Sequence, residues 1–234
     1  MKIKEGKTYL TVPHAGGELS FQYPAFKGTY GNIGEQIDEA GLKRPNSPKT
    51  ASLVYDAWQN KEGKYESEII SILKINWLWE FTGNLYLPKR EGEEFHNGVI
   101  IEYNPKIENR KLIMDKNSLV KRLKENDSQV KFVPFGYKIG EQPWQELEKN
   151  EYIVERYGKE GAGKLAEIAS EYTGNHDIWS FKSVKEEKMR MSALDWGWGF
   201  DGRLSVDGDN WDDDYQGYAF GVCRKNKEDF ARLN

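Results

Sequence analysis

The sequence predicts an α+β fold in one domain, because segments with the period of a β-strand alternate with segments of helical period. Residues 19–23 alternate apolar and polar side chains, as a half-buried strand does. Leu53, Val54, Ala57 and Trp58 instead share one face of a helix. No repeat and no flexible linker divides the 234 residues, so we expect a single domain over residues 1–234, with helices inserted among antiparallel strands.

The first half of the chain contains a helix start with two separate markers. Ser47 can cap the helix with its hydroxyl, and Pro48 suits the first helical position because its missing N–H would be unpaired there. The other elements of this half are strands at 9–12, 19–23, 85–88 and 98–103, and helices at 33–40 and 65–77, the last with an aromatic end at 77–81 that is expected to pack in the core.

The second half continues the alternation. Asp115 can cap a helix that turns Leu119, Val120 and Leu123 inward. The remaining elements are a strand at 129–134, helices near 143–157 and 162–172, and short strands near 179–181, 203–206 and 218–224.

Composition excludes several classes of protein. The formal net charge of −4 argues against a nucleic-acid binder. No apolar run approaches the roughly 18 residues that a membrane-spanning helix needs, and the N-terminus does not resemble a secretory signal. The single cysteine, Cys223, excludes a disulfide framework and a thiolate-rich zinc site.

Several motifs resemble functional sites but lack a necessary residue. Residues 158–165 have the glycine and lysine spacing of a phosphate-binding loop, but Leu165 occupies the place of the magnesium-binding hydroxyl. Residues 207–211 begin like a calcium loop, but Trp211 replaces an oxygen ligand. The three histidines are not spaced as metal ligands and are expected at the surface or in capping roles; they are His14, His96 and His176. No catalytic constellation is visible in the sequence.

Residues 195–218 differ in composition from the rest of the chain. These 24 positions hold seven aspartates, six aromatic residues and five glycines, with no lysine and no glutamate. The segment carries a formal charge of −6, which leaves +2 for the remainder. Aromatic rings among glycines and short polar side chains are typical of antibody-like binding surfaces. From the strand alternation we expect Leu204, Val206 and Trp211 to be buried and most of the residues between them to be exposed.

The C-terminal sequence resembles the variable proteins of diversity-generating retroelements, particularly the archaeal members. The match consists of Met191-Ser-Ala-Leu, the aromatic, aspartate and glycine stretch, Leu204-x-Val-x-Gly-x-x-Trp211, and 217–224. It covers about the last 35 residues, and a weaker likeness extends back to about residue 50. The resemblance implies a C-type lectin fold of the formylglycine-generating-enzyme kind, without that enzyme's activity.

The resemblance also implies that a reverse transcriptase copies a template into the end of the gene with errors at adenines. The absence of lysine and glutamate fits this, because asparagine codons altered at their adenines encode neither residue. The residues implied to form the variable ligand-binding surface are Trp196, Trp198, Phe200, Asp201, Arg203, Ser205, Asp207, Asp209, Asn210, Asp212, Asp213, Asp214, Tyr215 and Tyr218; the fixed scaffold beneath them is Leu204, Val206, Trp211, Phe220 and Val222.

The main hypothesis is therefore a non-enzymatic binding protein. We expect a protein ligand with basic and apolar features, and we expect no binding of nucleic acid and no membrane insertion. No cofactor and no metal are expected. The protein is expected to be a cytoplasmic monomer, although display at a surface by other means stays open. Two alternatives remain on the same fold. One is a calcium-dependent carbohydrate-binding lectin that uses the aspartates, and the other is an oxidase related to formylglycine-generating enzymes.

Overall fold

The computed structural model describes residues 2–4, 7–171, 175–196, 202–210 and 215–223. The first half of the chain forms four short strands, three helices and then the longest strand. Its elements are β1 (Lys2–Lys4), β2 (Lys7–His14), β3 (Gly17–Tyr23), β4 (Phe26–Gly28), α1 (Tyr30–Glu39), α2 (Ser47–Gln59), α3 (Lys64–Ile75) and β5 (Trp77–Leu87).

The second half contributes nine shorter strands and the longest helix. Its elements are β6 (Gly98–Tyr103), β7 (Lys106–Glu108), β8 (Lys111–Ile113), α4 (Lys116–Lys124), β9 (Val130–Pro134), β10 (Gly140–Gln142), a 3-10 helix (Trp144–Lys149), α5 (Glu151–Ser170), β11 (His176–Trp179), β12 (Lys188–Asp195), β13 (Ser205–Asn210) and β14 (Gly217–Ala219).

A nine-stranded mixed sheet organises the molecule. Its main path runs β10-β11-β13-β12-β5-β14-β4, while β6 pairs with β5 and β9 pairs with β6. Most pairs are antiparallel, but β13 runs parallel to β11 and β14 runs parallel to β5. β13 therefore lies inside the sheet, hydrogen-bonded on both sides.

The two faces of this sheet have different cores. On the inner face, Leu78, Ile178, Leu194 and Val206 belong to the large core that also contains the apolar sides of α2 and α5. On the outer face, Trp79 and Phe81 of β5 pack with α1 in a second core. This second core contains Tyr30, Ile33, Ile37, Trp79, Phe81, Met191, Ala193 and Ala219.

Several predicted elements are present. Residues 7–23 form a hairpin, and α2 buries Leu53, Val54, Ala57 and Trp58. The carboxylate of Asp115 caps α4 by accepting a hydrogen bond from the N–H of Ser118 at 2.8 Å. Local sequence determines these elements, because each depends on a turn, a cap or a periodic stripe within a few residues.

Three sequence predictions about local structure are wrong. The N-cap of α2 is Asn46, and Ser47 is the first helical residue. The aromatic run 77–81 begins β5 instead of ending a helix; Trp77, Trp79 and Phe81 lie on the outer face, so its true period is two. The third error is that β12 was not predicted, although Met189, Met191 and Ala193 alternate with Arg190, Ser192 and Leu194 as strand residues do.

Trp196 belongs to the core and not to an exposed binding surface, which corrects the prediction for this residue. Its side chain is 5% exposed. Its ring stacks on that of Trp58 in α2, with centroids 5.3 Å apart and an interplanar angle of 17°. The tertiary structure buries Trp196 because the end of β12 lies against α2.

We predict that Trp196→Ala destabilises the fold by about 3–5 kcal/mol, since the change removes a buried ring and leaves a cavity. Thermal or urea unfolding measures this loss. Ile75→Ala is the control, because Ile75 is 70% exposed and its truncation should stay within about 0.5 kcal/mol. A Trp196→Ala protein as stable as the control would show that the ring is not part of the core.

Candidate functional site

The described part of the 195–218 segment lies on three strands of the sheet. β12 ends at Asp195, β13 comprises Ser205–Asn210, and β14 begins at Gly217. Asp195 pairs with Ser205, and Ser205 pairs with Asp177 of β11. The predicted surface residues that lie outside the described residues are Trp198, Phe200, Asp201, Asp212, Asp213 and Asp214, and the predicted scaffold residue Trp211 also lies outside them.

Side chains of β13 alternate between the two faces of the sheet. Val206 is buried in the inner core, and Leu204, just before the strand, is buried with it. Asp207 and Asp209 are half-buried on the outer face. Phe220 and Val222, the other described scaffold residues, also lie in the inner core. The four predicted scaffold residues are therefore buried, whereas Asp207 and Asp209, predicted to be exposed, are half-buried.

Two residues predicted to be exposed are buried instead. Ser205 is 2% exposed and Asn210 is 5% exposed. Ser205 has paired strands on both sides, so the larger side chains of its neighbours Asp177 and Asp195 shield its short hydroxymethyl group. Asn210 lies at the end of β13, where its side-chain amide is 3.5 Å from the carboxylate of Asp207.

Buried side chains of the scaffold hold the backbone of β13. The guanidinium of Arg156, in α5, donates a hydrogen bond to the carbonyl of Asp207 at 2.7 Å. The hydroxyl of Tyr86, in β5, donates to the carbonyl of Gly208 at 2.8 Å. These contacts use main-chain atoms, so they do not depend on which side chains β13 displays on its outer face.

An ion pair inside the core orients Arg156. Its guanidinium lies 2.7 Å from the carboxylate of Glu80, and both side chains are fully buried. The hydroxyls of Tyr157 and Ser47 also donate to Glu80, at 2.8 and 2.9 Å. Burial raises the pKa of Glu80, and Arg156 together with the two hydroxyls opposes that rise by stabilising the carboxylate. Removal of either charge would leave the other buried without its partner.

Gly208 is required at its position because the scaffold approaches it closely. A Cβ atom at this residue would lie 1.8 Å from the hydroxyl oxygen of Tyr152 and 2.8 Å from Arg156. Tyr152 in turn donates to Asn84 at 3.0 Å and accepts from Arg156 at 3.1 Å. Any side chain at Gly208 would therefore displace the groups that hold β13.

We predict that Gly208→Ala destabilises the fold by about 3 kcal/mol, because the new methyl group overpacks a rigid polar cluster. Unfolding in urea measures the change. The matched control is Gly163→Ala in α5, where nothing lies within 4 Å of the added atom. Alanine there should be neutral or stabilising by up to about 1 kcal/mol. Equal stability of the two variants would contradict this description of β13.

Carboxylates dominate the outer face of β13. Burial raises the pKa of Asp207 to about 7, and the nearby charges of Asp209 and Asp195 act in the same direction. Burial also raises the pKa of Asp209. The N–H of Asp209 donates to the carboxylate of Asp207 at 3.0 Å, which limits the rise for Asp207. The pKa values of both carboxyl groups therefore lie above the ordinary value for aspartate.

We predict that Asp207→Asn is more stable than the wild type at about pH 8 and loses this advantage at about pH 4. The raised pKa means that folded Asp207 binds more protons than unfolded Asp207 between those pH values, so wild-type stability falls as pH rises. Thermal melting as a function of pH measures the effect. A stability difference that does not change with pH would contradict the assignment.

Asp127→Asn is a control for which we expect the opposite change in stability with pH. The N–H of Gln129 and the guanidinium of Arg122 lower the pKa of Asp127, so its carboxylate stabilises the folded state above the ordinary aspartate pKa. This control variant should therefore be less stable than the wild type at about pH 8 and should approach it in acid.

Aromatic residues lie next to the carboxylates, at the start of β5 and β14. Tyr215 is 51% exposed, and its ring centroid is 4.8 Å from that of Trp77. Tyr218 is half-buried, with the ammonium of Lys27 5.6 Å from its ring centroid. Trp77 was not assigned to the surface from the sequence, although it contacts a residue of the predicted segment.

The histidines and acidic residues of the described part form no metal centre. Within the described ranges, no three His, Cys, Asp or Glu side chains are arranged to hold an ion. Nδ1 of His14 is 2.9 Å from the hydroxyl of Ser52. His176, expected at the surface, is 1% exposed, and burial lowers its pKa to about 4. The calcium hypothesis remains untested, because residues 212–214 lie outside the described ranges.

Comparison with solved structures identifies the fold. One solved structure, from work on the accommodation of massive sequence variation in Nanoarchaeota by the C-type lectin fold, has a TM-score of 0.57 and 16% sequence identity to the chain. The match covers 86% of this chain and 98% of that one. The protein has a C-type lectin fold. No protein-family model and no curated protein matches the chain.

The buried groups that hold β13 in the sheet of this C-type lectin fold were not identified from the sequence. Arg156 occupies the apolar stripe of α5, between Tyr152, Ile153 and Tyr157, and a charged residue at such a position is a detectable signal. Glu80 gave a weaker signal, as the one charge within an aromatic run.

Among the described residues, no helix is both long and apolar enough to cross a membrane.

Proposed function

We propose that the protein is a non-enzymatic binding protein whose residues 195–218 form a variable recognition surface, diversified by a retroelement. The observation that carries this proposal is the way the scaffold holds β13. Arg156 and Tyr86 bind carbonyl oxygens of Asp207 and Gly208. Outward side chains can therefore change while the backbone keeps its position.

The burial pattern of β13 supports the same proposal. Val206 and Gly208 lie against the inner core and the polar cluster, and neither tolerates a change of size. Asp207 and Asp209 lie on the outer face, where the carboxylate of Asp207 accepts hydrogen bonds from Asp209 and Asn210 of β13 itself. This separation of fixed and free positions is what a diversified surface requires, because substitutions must alter recognition without unfolding the protein.

The chemistry of the surface favours a protein ligand with basic and apolar groups. The segment carries a formal charge of −6, and Asp207 and Asp209 belong to its half-buried part. Tyr215 supplies an exposed ring beside Trp77. Aromatic side chains dominate interface energies, whereas peripheral charges mainly change association rates.

Sequencing the DNA beside the gene tests the origin of the variation. We expect a repeat that matches the codons for 195–218, with adenines at the variable positions, and a reverse transcriptase gene nearby. Related copies should differ at outward positions and agree at Leu204, Val206 and Gly208. A neighbourhood with neither the repeat nor the reverse transcriptase gene would overturn the diversification part of the proposal.

We predict that exposed rings of the segment carry most of the affinity for a protein ligand. Binders selected from a displayed protein library against the wild type should lose about 2 kcal/mol or more on Trp198→Ala or Phe200→Ala. Biolayer interferometry measures the dissociation constants. Trp144→Ala is the control, since Trp144 is 36% exposed and lies in the 3-10 helix outside the segment.

The same measurement distinguishes the calcium-dependent alternative. We expect binding to persist in a chelator, because Trp211 stands where a calcium loop would place an oxygen ligand. Affinity that requires calcium and disappears in Asp209→Ala would favour the lectin alternative. Binders that are indifferent to both ring deletions would place recognition elsewhere on the protein.

A further inference from the structure

An exposed tryptophan lies beside β13 but outside the 195–218 segment. Trp179, the last residue of β11, is 54% exposed. It pairs in parallel register with Asp207, and Asp177 pairs in the same way with Ser205. Ile178 between them is buried in the inner core. Because strand side chains alternate, Asp177 and Trp179 lie on the outer face together with Asp207.

The charges around Trp179 are mainly negative. Asp177, Asp207 and Asp209 are half-buried on the same face. The guanidinium of Arg203 is engaged by Glu141 of β10, which pairs with Asp177. The guanidinium of Arg190 in β12 is the cation that faces this group: its charge lowers the pKa of Asp209, and it lies 5.5 Å from the ring centroid of Phe181. An indole face beside carboxylates attracts a cation more strongly than either group alone.

We propose that Trp179 and Asp177 form a constant subsite, next to the variable strand, for an arginine or lysine side chain of a protein ligand. The cation stacks on the indole of Trp179 while its N–H groups donate to Asp177 and to whichever acceptor position 207 displays. This inference rests on the proposed function and adds to it a contact that diversification does not change. The constant subsite would give different variants a shared preference for basic ligands.

A comparison of three selections tests the subsite. A phage-displayed random-peptide library is selected in parallel on the full-length wild type, on Trp179→Ala and on Trp144→Ala. We expect arginine and lysine to be enriched in peptides from the wild type and from Trp144→Ala, and the enrichment to disappear with Trp179→Ala. Equal enrichment on all three proteins would overturn the proposal.

A double-mutant cycle on one selected peptide locates the contact. Replacing its arginine by citrulline, which removes the charge at nearly constant shape, should weaken binding to the wild type about 5-fold. The same replacement should have almost no effect on Trp179→Ala, because the interaction partner is already absent. Asp177→Asn should reduce the citrulline effect partially. Independent, multiplicative effects of the two changes would refute the contact.

The outcomes separate this inference from the proposed function. Peptides that lose affinity on Trp198→Ala or Phe200→Ala but show no coupling to Trp179 would leave the variable surface in place and eliminate only the subsite. Peptides that couple to Trp179 but ignore both ring deletions would establish the subsite and contradict the variable surface. Melting temperatures of all variants must match the wild type, and Trp179→Phe provides a second variant that keeps an aromatic ring.

Discussion

The ion pair between Arg156 and Glu80 is the interaction on which the position of β13 depends. Two opposite charges, both fully buried, cost desolvation energy that a hydrophobic pair would avoid. The arginine also reaches the carbonyl of Asp207, which an apolar side chain would leave unpaired. We therefore interpret the pair as a device for positioning β13, with Tyr152, Tyr157 and Ser47 contributing further hydrogen bonds to it.

Main-chain anchoring holds β13 without using its outward side chains. Inner positions such as Val206 and Gly208 are held to one size by the core and the polar cluster. Outer positions such as Asp209 contribute charge and shape with little effect on packing. Burial, with the nearby charges of Asp209 and Asp195, raises the pKa of Asp207 on this face.

Sequence reasoning was accurate where the controlling interactions are local. The Asp115 cap and the buried stripe of α2 depend on residues within a few positions of each other. It failed for β5, where the run beginning at Trp77 fits either a helix end or a strand buried on both faces. It also failed for Trp196, whose burial depends on Trp58, a residue distant in the chain.

The sequence by itself determined the α+β class, the unusual composition of 195–218, and the alternation that buries Leu204 and Val206. Composition and period are properties of contiguous residues, so no knowledge of long-range contacts was needed. Only the tertiary structure decided that Arg156 and Tyr86 hold β13 by its carbonyls, and that Trp179 lies beside Asp207. Those contacts join residues far apart in the chain, and strand order and register, which bring them together, are not encoded in any single segment.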